Sequence, residues 1–398
     1  MVELEADDHR LVLDVGLPLD PSKVAMRDLL PDVEGLWGAG DGSLQAVLLS
    51  HGHQDHVGLA DLVDPEVPIY AGTATERISE VAAFFVPRAR ALVTAGHLED
   101  GVTLELGPFR VTPVLVDHSA FDAYALIVEA NGRRLVYSGD IRRHGRKPRS
   151  LDRLAWAGRD ADVLLLEGTT IGRSSSQPWT EVDVEDRVLD VCKQSSGWVL
   201  AAASAQNVDR IVSLFKAARR SGRDLVLDLY AALVLEATGR ETIPQASWDG
   251  VRVYLPKSQK RRVIEAQAFD LTRRVNDARI YPEEVRARPD ELLFLFRESM
   301  STEFEEIGVP PGTALAWSMW RGYLESASGT RVAEFCKRHD IAFSTAHASG
   351  HAPASDLKRL VEAMSPARVV PIHTDSGDQY AALFGRTEVR KDGEWFEV

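Results

Sequence analysis

Cysteine is almost missing from this chain: 398 residues carry only two, Cys192 and Cys336. They stand far apart and in no metal-binding spacing, so they read as ordinary thiols of a cytoplasmic protein, without a disulfide framework. No apolar run approaches the roughly twenty residues that a membrane span needs. The N-terminal MVELEADDHR is acidic and lacks the apolar core of a signal peptide. Net positive charge is missing as well. The formal charge of −14 argues against coating nucleic acid by bulk electrostatics, yet leaves room for a local basic channel. Internal repeats and low-complexity tracts are absent. The remainder, 44% hydrophobic and 27% charged, is ordinary for a globular protein, and the length suits one large or two interlocked domains. Basic clusters occur at 142–149 (RRHGRKPR), 216–223 (KAARRSGR) and 257–262 (KSQKRR). Each reads equally well as a solvated face.

Histidine, by contrast, is concentrated. Residues 51–58 read HGHQDHVG, directly after the apolar run LQAVLLS. Three imidazoles and a carboxylate this close cannot all point into a core, where each would need its own partner. They make sense as ligands at the C-terminal end of a strand. His51 and His53, two apart in an extended turn, face one way and can grip one metal. Asp55 and His56, on the following turn, can face a second.

The rest of the chain supplies strands that end on similar residues. Residues 2–15 read as two strands, the second ending at Asp14 before Gly16 and Pro18. VGLADLVD reads as a short helix and VPIYAG as a strand. TATERISEVAAFFVPRARALVTA has helical periodicity interrupted at Pro87. VTLELGPFRVTPVLVDHS alternates like two strands and ends on His118. DAYALIVEANGRRLVYSGD is a hairpin around Asn131-Gly132, ending on Asp140. ADVLLLEGTT ends on Glu167. From 173 a serine-rich entry and an amphipathic helix lead into strands alternating with helices, which predicts a parallel α/β unit. After 345 come a polar loop, a helix and a strand ending on His373.

Ligands past strand ends are where α/β architectures place chemistry. His51, His53 and His118 suit one metal, Asp55, His56 and His373 a second, and Asp140 a bridge. Imidazole and carboxylate without thiolate suit zinc, with manganese the alternative. Two such ions can clamp both oxygens of an in-line displacement.

HxHxDH, a histidine after a strand, the Asp of SGD and a late histidine together resemble the signature of the metallo-β-lactamase superfamily, in order from Asp14 to His373. The stretch between Glu167 and His351 is similar to the β-CASP branch of metal-dependent nucleases. LLLEGTT with Glu167, HASGHA with His351 and VVPIHT with His373 look like its acidic and histidine motifs, and the last two resemble ribonuclease J. Short single-chain bacterial β-CASP proteins of RNA-processing exonuclease type are closer still. The resemblance implies a metallo-β-lactamase αββα sandwich over 1–173 and 345–398, and an inserted α/β domain over 174–344 that roofs the metals and forms a channel. Against that resemblance, the chain is expected to depart from full-length ribonuclease J in lacking its C-terminal domain. LAWSMWRGY stands where ribonuclease J has a different phosphate-contacting loop.

Asp14 is expected to orient a ligand histidine, or merely to form a turn. Glu167 is expected near the metals and, with Asp55 and His351, in catalysis. His351, beside Ser349 and Gly350, would bind the scissile phosphate or protonate the leaving oxygen. His347 would help it or only cap the loop. Ser204 and Asn207 mark a helix N-terminus that suits an anion or plain capping. Arg321, with Trp317, Trp320 and Tyr323, could grip a strand by stacking and charge, although core packing competes for the aromatics. Arg142, Arg143, Lys147 and the 257–262 cluster are further candidates for a basic lining. The expected function is a dinuclear-metal nuclease acting on single-stranded RNA in the cytoplasm. The same chemistry on DNA, or a lactonase- or thioesterase-type hydrolase, is the alternative. No membrane partner is expected, and a homodimer is left open.

Overall fold

A computed structural model describes residues 1–18, 29–173 and 178–398. The serine-rich entry at 174–177 lies outside the described residues. Five strands form the first sheet: β1 (Val2–Ala6), β2 (His9–Leu13), β3 (Leu44–Leu48), β4 (Ile69–Gly72) and β5 (Gly96–Leu98), in that order and parallel except for the β1–β2 hairpin. The second sheet holds β6 (Leu104–Leu106), β7 (Phe109–Leu115), β8 (Tyr124–Ala130), β9 (Arg133–Tyr137), β10 (Val163–Glu167) and a late return strand, Arg368–Ile372. From β6 to β9 it is an antiparallel meander; β9, β10 and the return strand run parallel. Asn131 and Gly132 both adopt positive φ, 51° and 74°, the backbone of a tight two-residue hairpin turn.

Period-two burial explains why the sheets stack. Leu11, Leu13, Ala46 and Leu48 meet Phe109, Val111, Leu126, Val163 and Leu165 in one shared core. The alternate residues turn outward to helical layers. Val12, Val47 and Leu49 pack with Val57, Leu59 and Val63. Val114, Leu164 and Leu166 pack with Leu151, Leu154, Leu357 and Leu360 of helices Ser150–Ala157 and Ala354–Met364. The central strands β2, β3 and β10 are buried on both faces, and the result is an αββα sandwich.

A third sheet comprises β11 (Val199–Ala202), β12 (Asp224–Asp228), β13 (Val251–Tyr254), β14 (Leu292–Phe296), β15 (Ala314–Trp317) and β16 (Ala342–Thr345), ordered β13-β12-β14-β11-β15-β16 and parallel throughout. Its unbroken apolar runs, such as LLFLF at β14, are what a parallel sheet needs. The chain divides into two compact units. One is Met1–Glu80, Ala89–Pro178 and Gly350–Val398; the other is Val81–Arg88 and Trp179–Ser349.

The helical reading over 73–95 holds as far as Phe85: the expected interruption at Pro87 ends the helix, because proline disfavours helical backbone at Val86. Leu151, Leu154 and Ala155, at helical spacing, bury one face of helix Ser150–Ala157, a segment left unassigned in the sequence. Among the described residues no helix is long and apolar enough to cross a membrane.

Candidate metal centre

Strand direction gathers the candidate residues. β7 and β9 are both antiparallel to β8, so they run the same way, and β10 and the return strand run parallel to β9. His118, Asp140, Glu167 and His373 therefore emerge at one edge of the second sheet. In the first sheet β2 and β3 are parallel, which brings Asp14 and His51 to a common edge. The histidine motif closes into a helical turn, Gln54–Val57, with His53 at its N-cap. Residues 15–17 dock along it: Val15 N–H donates to the carbonyl of His56 at 2.8 Å and Leu17 N–H to that of Gln54 at 2.9 Å. Gly16 permits this approach, since a Cβ there would stand 1.6 Å from the Asp55 carbonyl oxygen.

Two ligand groups result, each with its donor atoms within 4.8 Å of one another: His51, His53, His118 and Asp140, and Asp55, His56, Asp140 and His373. Asp140 belongs to both. Its Oδ2 lies 3.3 Å from His56 Nε2 and 3.6 Å from Nε2 of His51 and of His118, while Oδ1 lies 3.1 Å from His373 Nδ1. His53 Nδ1 is 3.2 Å from His51 Nε2 and 3.0 Å from His118 Nε2. His373 Nε2 is 3.3 Å from Asp55 Oδ2.

The hydrogen bonds behind these atoms fix their tautomers. A carbonyl only accepts, so His118 Nδ1 donates to the Gly350 carbonyl at 2.7 Å and its Nε2 carries the lone pair. His56 Nδ1 donates to Asp14 Oδ2 at 2.6 Å. Asp14 also accepts from Ser50 N–H at 2.6 Å, Ser50 Oγ at 2.7 Å and the Tyr137 hydroxyl at 2.6 Å. Asp14 and His373 both hold positive φ, 56° and 49°, uncommon for non-glycine residues and concentrated at functional sites. Gly139, just before Asp140, also has positive φ, and a Cβ there would meet the Tyr124 carbonyl at 2.9 Å.

The donor set tests whether metals fit. His56 Nε2 and both Asp140 carboxylate oxygens are buried and, among the described residues, make no hydrogen bond. Buried carboxylate oxygens in that state are costly unless a cation satisfies them. Burial holds His51 and His118 well below the ordinary imidazole range and brings His53 down to about 4, so all three are neutral, as ligands must be. Burial would also depress His56 and His373, but carboxylates outweigh it. Asp140 and Asp14 hold His56 well above its usual value, and the close approach of the Asp140 and Asp55 carboxylates pushes His373 up to about 10. Asp140 is held well below the carboxylate range against its burial, chiefly by His56 and His351. The Asp14, Asp55 and Asp140 carboxylates thus draw positive charge toward the His56 and His373 nitrogens. The chain carries the ligand chemistry of a divalent-metal site.

Around the ligands, Glu167 is fully buried. Its Oε1 accepts from Ile141 N–H at 3.2 Å and lies 3.3 Å from His351 Nδ1; its Oε2 accepts from Thr169 N–H at 3.0 Å. The contact to His373 is made by Thr169, whose Oγ1 is 3.0 Å from His373 Nδ1. His351 Nδ1 lies 3.8 Å from Asp140 Oδ2, and Asp140, Glu167, His351 and His373 form a third group able to hold an ion.

The expected substrate-binding residues are more scattered. Gly350 presents its carbonyl to His118. Ser349 is half-buried and ends the second unit. Ser204 and Arg321 are exposed in that unit, past the ends of the neighbouring strands β11 and β15. The Ser204 hydroxyl accepts from Gln206 N–H at 3.2 Å, and Asn207, not Ser204, caps helix Val208–Arg220. Trp317 is core, whereas Trp320 and Tyr323 are half exposed and meet edge to face. Arg142 is corrected as a lining residue: it is fully buried, with Nε on Asp117 Oδ1 at 2.8 Å. Ser50, Tyr137 and Thr169 went unread in the sequence. Ser50 and Tyr137 sit beside the motifs, in LLSHGH and VYSGD, but nothing in a spacing pattern reports a hydroxyl turned toward a carboxylate.

Comparison with known proteins agrees with this geometry. A family model described as a beta-lactamase superfamily domain matches residues 29–198, and one described as a Zn-dependent metallo-hydrolase RNA specificity domain matches 341–387. These descriptions, with the relatives that follow, make the chain similar to the metallo-β-lactamase superfamily and, within it, to ribonuclease J. Ribonuclease J of Sinorhizobium meliloti is 24% identical over 92% of this chain and 64% of its own length. Ribonuclease J 2 of Streptococcus pyogenes is 28% identical over 56% and 42%, respectively. Ribonuclease J of Helicobacter pylori is 21% identical over 94% of this chain and 54% of its own length. The chain thus spans between about two fifths and two thirds of the length of these relatives. A crystal structure of a protein of unknown function from Enterococcus faecalis superposes with a TM-score of 0.81 at 23% identity, covering 98% of this chain and 95% of that one; this likeness speaks for the fold.

Proposed function

We propose that this chain hydrolyses phosphodiester bonds of single-stranded RNA with two divalent metal ions. The observation that carries the reading is the sharing of one buried carboxylate, Asp140, by two ligand groups. Support for RNA as substrate comes from the RNA specificity description of the model matched at 341–387 and from relatives named ribonuclease J.

His51, His53, His118 and Asp140 would hold one ion, and Asp55, His56, His373 and Asp140 the other. When bound, such a pair supplies charge for both the attacking and the leaving oxygen of an in-line displacement. The chain's own residues do the rest. Asp14 and the Gly350 carbonyl keep His56 and His118 in the tautomer whose Nε2 is free to bind. Glu167 holds His351 beside the ligands, placed to give a proton to the leaving oxygen. Gly350 would steady the scissile phosphate, and Ser349, Ser204 and Arg321 are the proposed substrate-binding residues of the second unit. Zinc is taken before manganese and the cytoplasm as the compartment; a homodimer is a matter for solution scattering.

The test is direct. Metal-loaded protein is incubated with end-labelled single-stranded RNA and DNA, each with a 5′-phosphate or 5′-hydroxyl, and the product ladder is read. RNA should be shortened, the activity should disappear with chelator, and zinc or manganese should restore it. Intact RNA, with cleavage of DNA alone or of a lactone or thioester, would replace this reading.

A further inference from the structure

The loop that carries His351 is anchored at several successive backbone carbonyls. Arg210, fully buried in the first turn of helix Val208–Arg220, donates through Nη2 to the Ala348 carbonyl at 3.0 Å. Through Nη1 it donates to the Ser318 carbonyl, and to Ser318 Oγ at 2.8 Å. The Ser318 hydroxyl in turn donates to the Ala346 carbonyl, and Ala346 N–H donates to the Trp317 carbonyl at 2.9 Å. Further along the same loop, the Gly350 carbonyl accepts from His118 Nδ1 at 2.7 Å. Ala352 N–H donates to the Ile141 carbonyl at 2.7 Å, and the Ala352 carbonyl accepts from Thr170 Oγ1 at 2.6 Å. Carbonyls 346, 348, 350 and 352 are each held, which fixes the phase of the residues between them: His347, Ser349 and His351.

Arg210 is built for one geometry. Nε and Nη2 grip Glu181 Oε2 and Oε1 at 3.1 and 3.0 Å. Glu181 opens helix Glu181–Gln194 under a Thr180 capping box, and Ser213 Oγ donates to its Oε2 at 2.8 Å. Every N–H of the guanidinium has an acceptor. Lysine, a point charge with fewer donors, cannot reproduce this fork. An ion pair alone would not require the extra bonds to Ser318 and Ala348. They turn the pair into a bracket for the loop.

We infer that Arg210, oriented by Glu181, is a positioning residue. It sets the phase of the 346–352 loop and thereby places His351 and the Gly350 carbonyl that orients His118. The coupling runs along the chain itself, across the two peptide links from Ala348 to Gly350. The inference rests on the metal-hydrolase reading above, with a readout independent of it.

Arg210→Lys and Ser318→Ala are compared with the wild-type full chain for three things: metal content, the visible absorption bands of the cobalt-loaded protein, and RNA cleavage. Both variants should keep their metal count, shift the cobalt bands as His118 is reoriented, and lose roughly 10–100-fold in kcat, the range for losing a partner that orients ligands. KM should move less than about threefold. Should Arg210→Lys fail to fold, Ser318→Ala carries the same readouts without touching the ion pair. Folded variants with wild-type cobalt spectra would overturn the inference and leave Arg210 as a staple within its unit. If wild-type protein cleaves no RNA, the functional reading fails while the cobalt spectra still decide this one.

Discussion

His118 and Gly350 are 232 positions apart in sequence, yet Nδ1 of one lies 2.7 Å from the carbonyl oxygen of the other. The bond chooses the imidazole tautomer and so decides which nitrogen faces Asp140. A side chain at position 350 would disturb it, since a Cβ there would stand 2.6 Å from Ser119 Oγ and 3.2 Å from His118 Cε1. Gly350→Ala is therefore expected to weaken metal binding by roughly 10–100-fold, as loss of an orienting partner does. Competition with a chromophoric chelator measures it. Unchanged affinity would mean that His118 does not depend on this carbonyl.

Among the described residues, Asp140 is the one shared by the groups around His51 and around Asp55. Elemental analysis of the wild type should find about two divalent ions per chain, as an in-line displacement clamp uses. Asp140→Ala should fall below one and lose activity in parallel. A variant that keeps both ions and full turnover would remove Asp140 from the centre.

How much of this was legible beforehand depends on the range of the interactions. Strand ends were readable because apolar runs such as VLLLE and LQAVL stop abruptly at polar residues, and the hairpin at Asn131-Gly132 was readable from turn chemistry. The sandwich was implied by the resemblance to the metallo-β-lactamase superfamily, and the structure gives its physical basis: β2, β3 and β10 are buried on both faces. The helix end at Phe85 was readable from Pro87, but the periodicity after that proline formed no further helix. Arg142 was misread because a basic cluster does not reveal which guanidinium turns inward to a buried carboxylate such as Asp117. Ser50, Tyr137 and Arg210 act through contacts between distant segments, and no local pattern encodes those.

His351 sits where two roles meet: beside Glu167 at 3.3 Å, and in a third ligand group with Asp140 and His373. As a proton donor it would leave both ions in place, so His351→Ala should keep the metal content and lose roughly 10²–10⁴-fold in turnover. Elemental analysis and single-turnover cleavage are made on the same sample. Loss of one ion would make His351 a ligand instead.

Metal and protons compete for the same nitrogens, which gives a pH dependence of definite sign. In the metal-free protein His373 is raised to about 10 by the nearby Asp140 and Asp55 carboxylates, against an unfolded value of about 6.5. Its contribution to stability is fully present below about pH 6.5 and is lost as pH rises through about 10. His56, raised by Asp140 and Asp14, acts in the same direction. His53 acts oppositely: burial lowers it to about 4, so stability falls as pH drops from about 6.5 toward 4. Metal-free protein should therefore be most stable near pH 6–7 as far as these groups decide. An ion that binds His56 and His373 must displace their protons, so metal affinity should rise with pH from 6.5 to 8.5, and with it the gain in Tm on adding zinc. Titration calorimetry at pH 7 in buffers of different ionisation enthalpy should register net proton release. Zinc binding without proton release at that pH would show that these two histidines are not ligands.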